Sequence, residues 1–452
     1  MSPHAGSRRY RFAYPDADSF RAELDHLGVQ LPWSDDLSPL LDCLEIGSLR
    51  LHNRLAVHPM EGFDAEENGA PGELAFRRYG RYAAGGAGTI WFEATAVVAE
   101  GRSNPHQMYL HEGTAPAFAR LVESTRNTAR AAFGPDHEPL LVLQLTHSGR
   151  WSLPSGNRQP VIVHRNPDLD RLVGIDLEYP LASDEELDLL QEDFVRSARL
   201  AADSGFHAVD IKACHGYLVS ELLASFRRDG RYGGSFENRT RFLVETALRI
   251  RDEVPSLMVS SRINAYDGLP YPYGFGVDRE DPEVPDLEEP RMVLSEFHAN
   301  RIPLANVSVG VPYSKPHLGR PYSWPVRGSS PSPEHPLIGV SRLLNIVRTL
   351  QHGVAALPVV GTGYSWLRQY FPHVAAGVIG AGDAAIVGLG RLAFAYPSFA
   401  RDLMEQGSLD PDKCCLACSG CTELMRAGGP TGCIVRDREV YKLPRRARAG
   451  KE

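Results

Sequence analysis

Residues 183–211, SDEELDLLQEDFVRSARLAADSGFHAVDI, hold one complete helix-then-strand unit and set the reading of the whole chain. Ser183 followed three residues later by Glu186 is a capping box, in which each side chain satisfies the other's backbone N–H. Leu187, Leu190, Phe194, Ala198 and Ala201 then fall on one helical face. Gly205 can end the helix, because glycine takes a left-handed conformation without steric cost. Phe206 to Ile211 follows as a short strand.

The same order repeats in both directions. Downstream, helices 238–252, 290–299, 340–352 and 364–374 lead to strands 257–262, 304–308, 357–361 and 384–388. Upstream come strand 54–59, helix 72–84, strand 88–94, helix 114–132 and strand 140–145. Alternating strands and helices imply parallel strands, and eight of them with right-handed crossovers close into a (β/α)8 TIM barrel. The rival α/β architecture is a doubly wound open sheet. That fold shows a glycine fingerprint after its first strand, where this chain has His58-Pro59-Met60-Glu61-Gly62. The reading divides the chain into an N-terminal extension (1–45, with a helix over Ala17–Leu27), the barrel (46–406) and a cysteine-bearing segment (407–452). Residues 151–182 and 310–336 are rich in Pro, Gly and Ser and suit long loops over the barrel mouth.

Composition narrows the class. With 43% apolar and 23% charged residues over 452 positions, the chain can bury a barrel-sized core. A net charge of −8 without long single-sign runs argues against a general nucleic-acid binder. The basic end, Arg445 to Lys451, reads as a solvated tail. Met1 to Phe12 lacks an apolar signal region, and no segment is apolar for long enough to span a bilayer. A cytoplasmic location is the default expectation, with neither nucleic acid nor membrane as partner.

Barrel active sites lie at the C-terminal ends of the strands. That rule selects Lys212, His215 and Tyr217 after the fourth strand, Arg262 at the fifth, and Gln144 and His147 at the third. After strands seven and eight come Gly361-Thr362-Gly363 and Gly388-Leu389-Gly390-Arg391, where barrels commonly bind phosphate; plain turns are the alternative. A lysine or imidazole N–H can stabilise a substrate oxyanion, and a tyrosine can donate a proton. His215 and Tyr217 could equally be a structural histidine and a packed aromatic.

Five of the seven cysteines crowd together, and four are spaced Cys415-x2-Cys418-x2-Cys421-x11-Cys433. Three thiolates within seven residues can wrap a corner of a [4Fe–4S] cubane and a distant fourth can close it. A tetrahedral zinc site is the competing reading, although zinc ligands usually come as two separated pairs. Cys414 could substitute for Cys415.

Several of these stretches carry a family resemblance. Asn53-Arg54, Pro59-Met60, Gly85-Gly86, Glu93-Ala94, Gln144-Leu145, His147-Ser148-Gly149-Arg150, His215-Gly216-Tyr217-Leu218, Tyr232 to Arg239 (YGGSFENR) and Gly390-Arg391 together resemble the old yellow enzyme family. The resemblance runs from about residue 45 to 405. It implies noncovalent FMN, with Pro59, Met60, Ala94 and Gln144 at the isoalloxazine, and Arg262 at its N1–C2=O edge. Gly363, Gly390 and Arg391 would hold the phosphate. Two positions depart from the family. Lys212 stands where a histidine is usual, and Glu61 stands where a threonine or cysteine usually tunes the flavin. Glu61 could instead pair with a neighbouring arginine. The cysteine segment is similar to the one that follows the flavin barrel in 2,4-dienoyl-CoA reductase and trimethylamine dehydrogenase. No G-x-G-x-x-G follows Cys433 here.

The function implied is reduction of an activated C=C bond. His215 and Lys212 would bind the substrate carbonyl, FMN would supply hydride, and Tyr217 would protonate the α-carbon. The cluster would exchange electrons with an external electron-transfer protein or reductase. Oxidation of an amine or C–H bond, with electrons leaving through the cluster, is the second reading. A non-catalytic flavin or redox-sensing scaffold is the third. A small-molecule substrate is expected, and a homo-oligomer is compatible with the sequence.

Overall fold

The computed structural model describes residues 10–443. The basic stretch 445–451 and the first nine residues lie outside the described residues.

An antiparallel hairpin comes first, β1 (Leu44–Ile46) and β2 (Leu49–Leu51). The barrel strands follow: β3 (Leu55–Val57), β4 (Thr89–Ala96), β5 (Leu140–Thr146), β6 (Ala208–Ala213), β7 (Met258–Asn264), β8 (Leu304–Ser308), β9 (Val359–Gly361) and β10 (Ile386–Leu389). All eight are parallel, and pairing of Val387 with Leu55 and of Leu389 with Val57 closes the ring. The (β/α)8 barrel expected from the sequence is therefore the fold. Every residue of β4 is buried, as expected for a parallel sheet covered on both faces.

The opening stretch of sequence folds as read. Ser183 Oγ accepts the Glu186 N–H at 3.1 Å, and Glu186 Oε2 accepts the Ser183 N–H at 2.7 Å. Leu187, Phe194, Ala198 and Ala201 are buried along helix Asp184–Asp203, and Gly205 follows at φ 90°. Truncating a buried aromatic such as Phe194 to alanine costs about 3–5 kcal/mol in a packed core.

Three features differ from the sequence reading. The hairpin was not foreseen; its Ile46 and Leu51 pack against Trp91, Leu140, Ala208 and Ile386, plugging the end of the barrel opposite the strand C-termini. The single helix expected over 364–374 is instead a 3-10 segment, Tyr364–Tyr370, followed by helix Phe371–Gly380. Arg368 at φ 51° makes the break, and Pro372, which has no N–H to donate, sits in the first turn of the new helix. The two long loops over the mouth carry short helices of their own, Pro167–Val173 and Pro316–Gly319. They meet where Trp151 stacks on Tyr313 with centroids 3.7 Å apart.

The segment after β10 folds back over the same mouth. The Thr431 N–H donates to the Gly62 carbonyl at 2.7 Å, and Asp437 pairs with Arg77 and Arg81. Among the described residues no helix is long and apolar enough to cross a membrane.

Candidate active site

The strand ends surround a cavity of about 760 Å³. His58, Pro59 and Met60 enter from the turn after β3, and His215 from the turn after β6. Arg262 and Ser308 come from β7 and β8, and Thr362, Gly363, Gly390 and Arg391 from the turns after β9 and β10. Loop residues Arg320 and Pro321 cover one side.

Two properties of this cavity bear on a flavin. Its wall needs glycine: a Cβ on Gly388 would fall 2.2 Å from the His58 ring, and one on Gly390 would fall 2.9 Å from Met60 Sδ. Its buried polar atoms also lack protein partners. His58 Nε2, Arg262 Nε and Arg391 Nη1 are buried without a hydrogen bond. Buried polar groups are almost always satisfied, so these donors call for a polar ligand. Gly363, at φ 109°, opens the 3-10 segment beside Arg391 and Arg320. Burial, with the charge of Arg391 nearby, pushes the Arg320 guanidinium down to about 10, which is the mark of cations gathered without an anion. A phosphate there would balance them. The residues fit FMN.

Six of the nine expected flavin contacts line this cavity: Pro59, Met60, Arg262, Gly363, Gly390 and Arg391. Ala94, Gln144 and Gly361 do not. Gln144 Nε2 is spent on Asp210 Oδ2 at 2.7 Å, the Ala94 carbonyl accepts from Gln107, and Gly361 is paired within the sheet.

Lys212, His215 and Tyr217 do not all share one hydrogen-bond partner. His215 sits at φ 66°, with Nε2 at 2.9 Å from Ser308 Oγ, facing the flavin cavity. Burial, then the charges of Arg262, Lys212 and His58, hold its imidazole well below the ordinary histidine range, so it is neutral. Lys212 and Tyr217 instead converge on Glu61. Glu61 Oε1 accepts from Lys212 Nζ at 2.9 Å and from the Tyr217 hydroxyl at 3.1 Å, and Oε2 accepts from Ser103 Oγ at 3.2 Å. Lys212 Nζ lies 3.5 Å over the Tyr217 ring, and the Tyr217 hydroxyl is 3.4 Å from that of Tyr313. Burial, then the Glu61 charge, raise the Tyr217 phenol well above its usual range.

An arginine was one partner the sequence offered for Glu61, and the structure shows a lysine. The nearby arginine, Arg78, is taken by Asp64 and Glu93. Lys212 is thus paired with Glu61 in this arrangement. Sequence reasoning also missed His58, Ser103, Arg320 and Tyr313. His58 was legible as a strand-end residue, but the other three lie in loops without a motif.

Cys415, Cys418, Cys421 and Cys433 line a second cavity of about 340 Å³, and Arg391 stands between it and the flavin cavity. Cys414 is absent from that lining, its Sγ lying 3.5 Å from the Asp410 carbonyl. Among the described residues no three His, Cys, Asp or Glu side chains converge closely enough to hold a single metal ion.

The sequence profile of the NADH:flavin oxidoreductase / NADH oxidase family matches residues 39–273. An NADPH dehydrogenase of Listeria monocytogenes serotype 4b is 29% identical over 250 residues, 54% of this chain and 68% of that protein. The structure of a 2-naphthoyl-CoA reductase–2-naphthoyl-CoA complex superposes with a TM-score of 0.69 at 20% identity, over 89% of this chain; the alignment spans only 57% of that chain. An old yellow enzyme homologue from Zymomonas mobilis superposes with a TM-score of 0.60 at 20% identity, over 82% of this chain and 94% of that one. At these identities the structural likeness establishes the fold.

Proposed function

The chain belongs to the NADH:flavin oxidoreductase / NADH oxidase family, and on that premise we propose that it reduces an activated C=C bond. The observation that carries this reading is a buried, protonated tyrosine held by an ion pair beside a cavity that fits FMN. FMN, when bound, would supply hydride to the β-carbon of the alkene. His215, kept neutral, polarises the substrate's electron-withdrawing group through a hydrogen bond rather than a full charge. Tyr217 holds the proton destined for the α-carbon. Glu61 orients that hydroxyl, and the phenolate left after proton transfer would be repelled by Glu61 but stabilised by Lys212 over its ring. Tyr313, in contact with Tyr217 and partly exposed, offers a path for the proton to return from water.

A [4Fe–4S] cluster on Cys415, Cys418, Cys421 and Cys433 is part of the proposal. Supporting it are the spacing and the placing of all four cysteines around one shared cavity. Such a cluster supplies one-electron exchange, for which an external redox protein would be the partner. Arg391 borders both cavities, so loss of the cluster would disturb flavin binding as well.

The test is stopped-flow spectroscopy of the flavin-loaded protein. Tyr217→Phe is expected to slow oxidation of reduced flavin by cinnamaldehyde by about 10²–10⁴-fold while leaving flavin reduction by dithionite unchanged. An unchanged oxidative rate would remove Tyr217 as the acid.

A further inference from the structure

We infer that a third, outer cavity is the subsite for an anionic group of the substrate, so that the alkene carries a carboxylate or phosphate on an apolar, stackable body. The word substrate rests on the alkene-reduction reading; the ligand class rests on the cavity itself. This open cavity, about 1390 Å³ with the solvent at its mouth included, adjoins the flavin cavity through the shared residues Pro312 and Arg320. Its inner wall is the Trp151–Tyr313 stack, and Tyr313 reaches the Tyr217 hydroxyl. Ser103, also in the wall, donates to Glu61. The outer cavity therefore leads to the proposed proton donor.

Its charges are all of one sign. Among the described residues Arg158, Arg320 and Arg426 are the only ionised side chains lining it, in a chain with 56 acidic and 48 basic residues. None of the three is matched with a carboxylate among the described residues; Arg320 also borders the flavin cavity and would face the phosphate there, which leaves Arg158 and Arg426 as the charges specific to this cavity. Arg320 Nη1 donates to Ser419 Oγ and Arg426 Nη1 to Ser329 Oγ, while the adjacent Glu423 is already paired with Arg327 at 3.1 Å. The charges of Arg158 and Arg426 reach the Tyr313 hydroxyl, opposing the rise that burial and Glu61 impose on it. Phe63, Leu153, Leu172 and Met425 complete an apolar wall. Arginines around an aromatic floor recognise an anion on a flat or extended apolar body, since guanidinium binds carboxylate or phosphate bidentately. The same charges repel a protonated amine, which weighs against amine oxidation.

The probes are three non-reducible ligands of one shape: biphenyl-4-carboxylate, biphenyl-4-yl phosphate and the neutral biphenyl-4-carboxamide. Each is titrated calorimetrically into the flavin-loaded protein, its Arg158→Gln variant and its Arg426→Gln variant. At least one anion should bind about tenfold more tightly than the amide at low salt, and each variant should lose much of that preference. The tighter anion assigns the group as carboxylate or phosphate. A net charge of −8 repels anions in general, so the preference cannot come from the overall field. Equal affinity for the three ligands, or a preference that survives both substitutions, overturns the inference even if cinnamaldehyde is reduced. Anion preference without turnover of any alkene leaves the ligand class standing and removes the reductase reading.

Discussion

Glu61→Gln is the sharpest perturbation of this site, because it removes one charge while keeping the side chain's size and an acceptor oxygen. In the native protein Lys212 Nζ lies 2.9 Å from Glu61 Oε1, with the two side chains only 4% and 9% exposed. Removing one member of a buried pair costs about 3–5 kcal/mol, mostly the desolvation of the charge left behind. Gln retains an oxygen for the ammonium and the Tyr217 ring still lies beneath it, so the expected loss is nearer 2–4 kcal/mol. Lys212→Met should cost a similar amount, since it strands the Glu61 carboxylate. The double variant has neither charge and should cost no more than either single variant, giving a coupling of about 2–4 kcal/mol. Urea denaturation of the flavin-loaded protein measures it. A second readout follows from Tyr217, whose raised pKa comes from burial and then from the Glu61 charge. Without that charge, and with Lys212 still over the ring, the phenol should ionise at lower pH. The alkaline limb of flavin reoxidation by cinnamaldehyde should therefore move down in Glu61→Gln. Single substitutions whose costs add to within about 0.5 kcal/mol, together with an unmoved alkaline limb, would refute the coupling of the three residues.

Other expectations are simpler. His215 has its folded pKa lowered by burial and by Arg262, so it stays neutral as pH falls through the ordinary histidine range; the oxidative half-reaction should show no acidic limb near pH 6.5, and His215→Asn should retain more rate than His215→Ala. Its contribution to stability runs the same way: the unfolded chain binds the proton first, so stability falls as pH drops below about 6.5. Iron and sulfide analysis should show loss of the cluster in Cys415→Ser and retention in Cys414→Ser, because only Cys415 faces the shared cavity. Burial alone would raise Asp437, but Arg77 and Arg81 outweigh it and hold the carboxyl below its usual range. That stabilisation is present above the unfolded carboxylate pKa of about 3.9 and is lost as pH falls through the folded value. Protection of the Asp437 and Tyr441 amides against hydrogen exchange, corrected for the pH dependence of intrinsic exchange, should thus persist at pH 5 and fall on acidification, and Asp437→Asn should show the reduced protection at neutral pH.

The barrel was legible in the sequence because its determinants are local. The Ser183–Glu186 box, the apolar spacing from Leu187 to Ala201 and the stop at Gly205 lie within one helix, and the strand order follows from their repetition. The strand-end rule likewise pointed to Arg262, Gly363, Gly390 and Arg391 without any coordinates, because position along a strand fixes position at the mouth. What the sequence could not supply was which side chains meet across that mouth. Glu61 and Lys212 are 151 positions apart, Tyr217 and Tyr313 are 96 apart, and Arg320 meets Ser419 across 99. Whether Glu61 would take a lysine or an arginine depended on Arg78 being already bound by Asp64 and Glu93. The placing of His215 at the flavin cavity depended on a left-handed backbone at that residue that no local pattern requires. Hydrogen bonds and charge pairs act over a few ångströms in space, and only closure of the barrel brings such distant residues within that range. The helices and strands were therefore written in the sequence, whereas the pairing of Glu61 with Lys212 and Tyr217 was decided by the tertiary structure.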